Sequence, residues 1–398
     1  MFIFIILIIL IVSLFHLFLV YTNYNSTRNN VADNMTNLVR HYGFREETYD
    51  ISGVKIHCVV KDSPPPPADI SDDVFVFIHG TASSSATFFD TMKAIPLPNI
   101  KCVAIDLPTF GISGHIDTER YPTNEKLCLA YADVIGHTLH RMDIMKQTIL
   151  VAHSLGGFLS IYVAERFPIK KLVMLNPAGI LPTLGEWGYY WGLFFKTGLP
   201  TTIFQHPMVS SELLTYLGRW WWKDADNVDN VKTEFWLSFL ANPANEGRRI
   251  LQRLITLTPF YSYWNTPAIT TLLDVYKKVP TSICFGIDDT IIPSHIGSFL
   301  GRLTQGEIMI HNIKNASHNP CCNIQCMVKM LVDIVNNDVV KPQKSWRKIS
   351  AVGNNKKYNH RGYSYPLLEK TQVSFQNVYD YILSKHTTYC PPHSELPP

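Results

Sequence analysis

The sequence has almost no excess charge: 35 Lys and Arg against 32 Asp and Glu leave a formal net charge of +3 over 398 residues. The basic footprint of a nucleic-acid-binding protein is therefore missing. Regular cysteine pairs are missing too. The eight cysteines form no C-x-x-C pair and show no zinc-type ligand spacing. Cys58, Cys102 and Cys284 sit inside apolar runs, where free thiols pack as small hydrophobes. Cys321, Cys322 and Cys326 lie close together without such a pair. Nothing in the pattern calls for a metal or a cofactor. There is no internal repeat. The 46% of hydrophobic residues is enough to bury a large core.

The N-terminus lacks any Lys or Arg ahead of its apolar run. "MFIFIILIILIVSLFHLFLVY" is apolar from Phe2 to Val20 except for Ser13 and His16. As a helix these nineteen residues would span roughly 28 Å, close to the thickness of a bilayer core. A cleaved signal peptide would want a basic start, a shorter core and small residues before the cut. A helix buried in a soluble core would carry a polar outer face. The segment matches neither, so residues 1–21 are expected to form a single-pass membrane anchor. Arg28 and Arg40 follow it and place the main domain on the cytosolic side. Sequons at Asn25 and Asn34 argue the other way, and the balance leans only slightly to the cytosol.

Residues 22–45 are polar and Asn-rich and read as a juxtamembrane linker. Beyond them, short apolar runs alternate with helical patterns. "EETYDISGVKIHCVV" reads as two strands around Gly53. "VFVFIHG", "KCVAIDLP", "QTILVAH", "KLVMLNPAG", "VPTSICFGIDD" and "EIMIHNIKNASH" read as further strands. A helix is expected over Thr123–Met142, capped by Thr123, with another after His153. This alternation predicts a mostly parallel sheet with helices on both faces, an α/β fold. The rhythm breaks at about 181–268, a helical, aromatic-rich insertion. Leu181 to Trp264 alone carries seven of the eight tryptophans. "IQCMVKMLVDIVNN" reads as the closing helix of a domain over 46–337, and 338–398 as a basic extension.

The chemistry concentrates in "ILVAHSLGGFLSIYVAERFP", Ile149 to Pro168. A serine between a buried strand and a helix, with glycines behind it, fits a nucleophile exposed on a sharp turn. The usual G-x-S-x-G pattern has Ala152 in its first glycine position, a departure of one methyl. Ser154 needs a base to take its proton and two backbone N–H groups for the developing oxyanion. Leu155, directly after it, supplies one. Thr81, after His79-Gly80 at the end of an earlier strand, supplies the other. "GIDDTIIP" then ends a strand with two acids, and "NIKNASHNP" ends the next with His318. The order serine, acid, histidine at successive strand ends is the order of a hydrolytic triad.

The pieces "HGTA", "DLPTFGISG", "AHSLGG", "LNPAG", "GIDDTIIP" and "NASH" together resemble the α/β-hydrolase family over roughly Glu46 to Asn337. The resemblance implies a helical cap above the sheet and an acid three residues after the strand-end glycine. Counting from Gly286 gives Asp289 rather than Asp288. It further implies a triad of Ser154, Asp289 and His318, an oxyanion hole from Thr81 and Leu155, and no metal. Departures from the family pattern are Ala152, Thr109 and Ser317, each in place of a glycine. Dehalogenases and epoxide hydrolases of the fold use an aspartate nucleophile, so Ser154 argues against both. A related acyltransferase group carries an acid five residues after the histidine, where Asn323 stands here. The anchor and apolar cap resemble membrane-bound monoacylglycerol lipases and related serine lipases. The expected activity is cleavage of a carboxylic ester, lipid-like in character, at a membrane. The alternatives are a non-catalytic binding protein of this fold, or a hydrolase of small soluble esters, amides or carbon–carbon bonds.

Overall fold

The computed structural model describes residues 31–64, 72–180 and 267–336, short breaks aside, together with Ile11 and Leu14. Eight strands form one sheet: β1 (Arg45–Ile51), β2 (Val54–Lys61), β3 (Val74–Ile78), β4 (Lys101–Ile105), β5 (Thr148–His153), β6 (Lys171–Leu175), β7 (Thr281–Gly286) and β8 (Met309–Ile313). Their order across the sheet is β1-β2-β4-β3-β5-β6-β7-β8. The β1–β2 and β2–β4 pairs are antiparallel, and the rest are parallel. β1 and β2 are joined at Ser52-Gly53, both with positive φ, a tight hairpin at the glycine that marks it in the sequence.

The near-continuous apolar strands follow from burial on both faces. β3, β5 and β7 are buried along their whole length. One face is covered by α3 (Asn124–Arg141), α4 (Leu155–Arg166), α5 (Pro267–Val275) and α6 (His295–Leu303). The other face is covered by α1 (Val31–Tyr42), α2 (Phe89–Ala94) and α7 (Ile324–Asn336). α3 begins where the sequence placed its cap: the Thr123 hydroxyl accepts from the Lys126 N–H at 3.2 Å. From β3 the chain steps to β4 on one side and then to β5 on the other. In open α/β sheets such a reversal marks the place where ligands bind, at the carboxyl ends of the strands, here β3 and β5.

One expected boundary differs. Residues 31–45, read as part of a linker, hold α1 and the start of β1. Met35 and Val39, four apart on one face of α1, are buried in the core beside α2. The Tyr42 hydroxyl donates to Asp90 at 2.7 Å, and its ring meets Phe44 and Phe89. The polar, Asn-rich composition hid an amphipathic helix that needs only two deep contacts. Among the described residues no helix is long and apolar enough to cross a membrane. The anchor at 1–21 (Ile11 and Leu14 apart), the insertion at about 181–268 (its last two residues apart) and the extension at 338–398 lie outside the described residues.

Candidate active site

Ser154 stands where β5 turns into α4, with φ 50° and ψ −114°. A non-glycine residue there is strained by about 1–3 kcal/mol, so its surroundings must hold it. Its N–H donates to the Leu175 carbonyl at 2.9 Å. Its own carbonyl accepts from the Phe158 and Ala178 N–H groups at 3.1 and 3.0 Å. The glycines behind it are required by crowding. A Cβ on Gly156 would lie 2.5 Å from the His79 carbonyl oxygen and 2.7 Å from that of Ile78. A Cβ on Gly157 would lie 2.9 Å from Pro177. Ala152 is different: it belongs to the ladder of β5 between Ile78 and Met174, and its methyl is buried in the core. That explains why the first glycine of the pattern is dispensable here.

The loop after β3 presses on the serine. A Cβ on Gly80 would stand 2.9 Å from the Ser154 Cβ and 3.1 Å from His153 Nδ1. Thr81 follows directly and is half-buried. Leu155 opens α4, and the first N–H groups of a helix have no partner within it. The structure thus brings the loop that carries Thr81 close to Ser154 at Gly80, with Leu155 next in the chain. His79 locks the loop: its Nδ1–H donates to the Gly80 carbonyl at 2.7 Å, and its Nε2 accepts from the Leu107 N–H at 3.0 Å. Burial lowers its pKa and keeps the ring neutral, as that pattern requires.

His318 reaches both of its expected partners. Its Nδ1–H donates to Asp289 Oδ2 at 2.9 Å, and its Nε2 accepts from the Ser154 hydroxyl at 3.1 Å. All three residues are buried. Asp289 Oδ1 accepts from the Ile292 N–H at 2.9 Å. Burial works to raise the Asp289 pKa, but the His318 charge and hydrogen bond, with further donors, hold it below the usual value. Asp288 is exposed, and its N–H donates to the Ala316 carbonyl at 2.9 Å. The register at "GIDD" is set by Gly286, whose missing side chain lets the chain pass against Ala316 and Ser317.

Two neighbours went unnoticed in the sequence. Asn176, at the end of β6, is fully buried; its side-chain NH₂ donates to Asp289 Oδ2 and its Oδ1 accepts from the Gly286 N–H at 3.1 Å. His153 donates from Nε2 to the His318 carbonyl at 2.8 Å. Burial first, then the neighbouring His318 charge, pushes its pKa down to about 3, so it stays neutral. Both lie inside pieces that carry the family resemblance, "AHSLGG" and "LNPAG", but nothing in the sequence shows what either side chain contacts.

A second buried group braces the loops from the far side of β4. Asp106 accepts from the Ser85 N–H at 2.6 Å, the Ile112 N–H at 3.1 Å and His57 Nδ1–H at 2.8 Å. His57 Nε2–H donates to Glu46 at 3.0 Å. Burial opposes charge on His57, but these two carboxylates outweigh it and hold its pKa up at about 9. Gly111, with φ 55°, leaves room that a side chain would take from Asp106. Thr109 adopts φ 77°, the conformation that makes glycine common there. Among the described residues no group of three His, Cys, Asp or Glu is arranged to hold a metal. Cys58, Cys102, Cys128 and Cys284 are buried free thiols, and Cys326 is exposed.

The sheet order, the strained serine turn and the serine–histidine–aspartate contacts are those expected of one fold family. The family model described as "Alpha/beta hydrolase family" matches residues 75–326. The chain belongs to that family. An uncharacterized hydrolase of Bacillus subtilis (strain 168), YugF, is 29% identical over 233 residues, covering 56% of this chain and 76% of that one. A cis-3-alkyl-4-alkyloxetan-2-one decarboxylase of Shewanella oneidensis is 23% identical over 257 residues, covering 63% and 76%. Among solved structures, the Cif epoxide hydrolase from Acinetobacter nosocomialis superposes with a TM-score of 0.57 at 15% identity, covering 78% and 95%. That likeness shows an α/β-hydrolase fold, and the differing activities of these proteins leave the reaction to be argued from the site.

Proposed function

We propose that this α/β hydrolase is a serine hydrolase that cleaves carboxylic esters, lipid-like in character, through an acyl-enzyme. The observation that carries the reading is the continuous contact from the Ser154 hydroxyl through His318 to Asp289. In this reading His318 takes the serine proton as Oγ attacks the ester carbonyl, and Asp289 holds the imidazole in the tautomer that can accept it. The Leu155 and Thr81 amides receive the oxyanion. His318 then protonates the departing alcohol. A water, activated by the same histidine, releases the acid and restores the serine. A serine in the nucleophile position favours this course over the aspartate chemistry of epoxide hydrolases.

The lipid-like substrate and the membrane rest on sequence. The apolar run Phe2–Val20 supports a single-pass anchor, and the tryptophan-rich insertion supports an apolar acyl pocket. Each buried CH₂ contributes about 0.8 kcal/mol. Catalytic efficiency should therefore climb several-fold for each added pair of acyl carbons until the pocket is full. The test is a fluorophosphonate probe and an ester series from two to sixteen carbons, applied to the full chain and to Ser154→Ala. The wild type should label and hydrolyse, and the variant should do neither. Equal activity in the variant sinks the serine mechanism. A steady fall in rate from acetate onward sinks the lipid reading alone.

A further inference from the structure

We infer that Asn176 is a positioning residue of the proposed reaction, holding Asp289 ionised and aimed at His318 by donating to the oxygen that His318 also uses. The assignment rests on the serine-hydrolase reading above.

The side chain of Asn176 is fully buried and joins two strand ends. Its Oδ1 accepts from the Gly286 N–H at 3.1 Å, at the last residue of β7. Its NH₂ donates to Asp289 Oδ2, the same atom that accepts from His318 Nδ1–H at 2.9 Å. The backbone N–H of Asn176 donates to the Cys284 carbonyl at 2.8 Å, so its amide starts from a fixed point on the sheet. Its φ is 43°, a left-handed value that asparagine tolerates better than most residues.

The chemistry selects an amide. Asp289 presents two oxygens in a buried site. Oδ1 takes the Ile292 N–H at 2.9 Å, and Oδ2 takes two donors. An aspartate in place of Asn176 could still accept from Gly286, but it would turn an oxygen toward Asp289. Only a group that accepts on one side and donates on the other satisfies both strand ends. The hydrogen bond also removes rotational freedom from Asp289, which a base held at 2.9 Å needs. Among the described residues, the titratable groups near Asp289 are His318, then His153 behind it; Asp288 precedes it in the chain and is exposed.

Asn176→Asp separates positioning from packing, because it keeps the size and the Gly286 contact and changes only the donor. Two carboxyls at hydrogen-bond distance cannot both ionise at their ordinary values, so the pair holds one proton over part of the pH range. With that proton, the new carboxyl donates to Asp289 as the amide does. Without it, the two charges repel and Asp289 leaves its place. We would measure kcat and KM for a short ester from pH 5 to 10 on the full chain in detergent. Rates would be counted per site reactive to a fluorophosphonate, so that any unfolded fraction drops out. The wild type should show an acid limb and then a plateau. Asn176→Asp should show an added fall at high pH, at least 10-fold in kcat with KM within about two-fold. Asn176→Ala, which lacks both contacts, should lose at least as much at every pH, without the alkaline fall. Parallel profiles for Asn176→Asp and wild type would overturn the inference. A wild type whose Ser154 does not react with the probe would instead overturn the hydrolase reading.

Discussion

Raising the pH from 6.5 to 9 should remove about 3 kcal/mol of stability through one residue, His57. The side chain is 3% exposed and lies between Asp106 and Glu46, donating to both. In the unfolded chain it titrates near 6.5, and in the folded protein near 9. A raised folded value means that the charged form is bound more tightly when folded. Its contribution is therefore complete below pH 6.5 and fades as pH rises toward 9. The gap between those values, at about 1.36 kcal/mol per pH unit, sets the figure of about 3 kcal/mol. The lowered pKa of Asp106, about 2, reflects the same contact and is not counted again. His57→Gln keeps a donor but carries no charge. Urea unfolding followed by far-UV circular dichroism should find the variant less stable than wild type at pH 6.5. The difference should shrink steadily and nearly close by pH 9. A constant difference across that range would refute the argument, because it would mean that folding does not raise the His57 pKa.

Asp289→Asn should cut turnover by about 10⁴-fold, by analogy with the loss of tautomer control in serine proteases. Asp288→Asn, altering an exposed side chain, should change it less than two-fold; a reversed order in ester assays would reassign the acid. The full chain should also stay with membranes when they are washed in alkaline carbonate and should retain its first 21 residues. Release into the supernatant, or an N-terminus mapped beyond residue 21, would remove the anchor from the reading.

The framework of the site could be read because its parts are punctuated. Tight crossings carry glycines where a side chain would clash, such as Gly156 in the first turn of α4 and Gly286 at the end of β7 beside Ser317. Counting from Gly286 leads to Asp289, the carboxylate that contacts His318, because that crossing fixes the register. The supporting shell left no such mark. Asn176 and Asp289 are 113 residues apart, and His57 and Asp106 are 49 apart. An asparagine after a strand, or a histidine within one, has many ordinary explanations until the fold brings its partner. α1 was hidden for a different reason. Its buried face rests on Met35 and Val39, with Leu38 and Tyr42 partly buried beside them, too few apolar positions to stand out from a polar background.

α1 also sets how far the catalytic domain could travel. With Phe2–Val20 in a bilayer, as proposed, the free length is no longer a tether of some two dozen residues. Met35 and Val39 fasten α1 to the sheet, and ten residues, 21–30, separate α1 from the apolar run. Ten residues at no more than about 3.6 Å each reach at most roughly 36 Å. An enzyme so anchored would work in a thin shell at the membrane surface rather than in the surrounding water. Its natural measure of substrate would be mole fraction in the leaflet. Diluting ester with inert lipid would then slow the enzyme, while diluting the whole suspension with buffer would not.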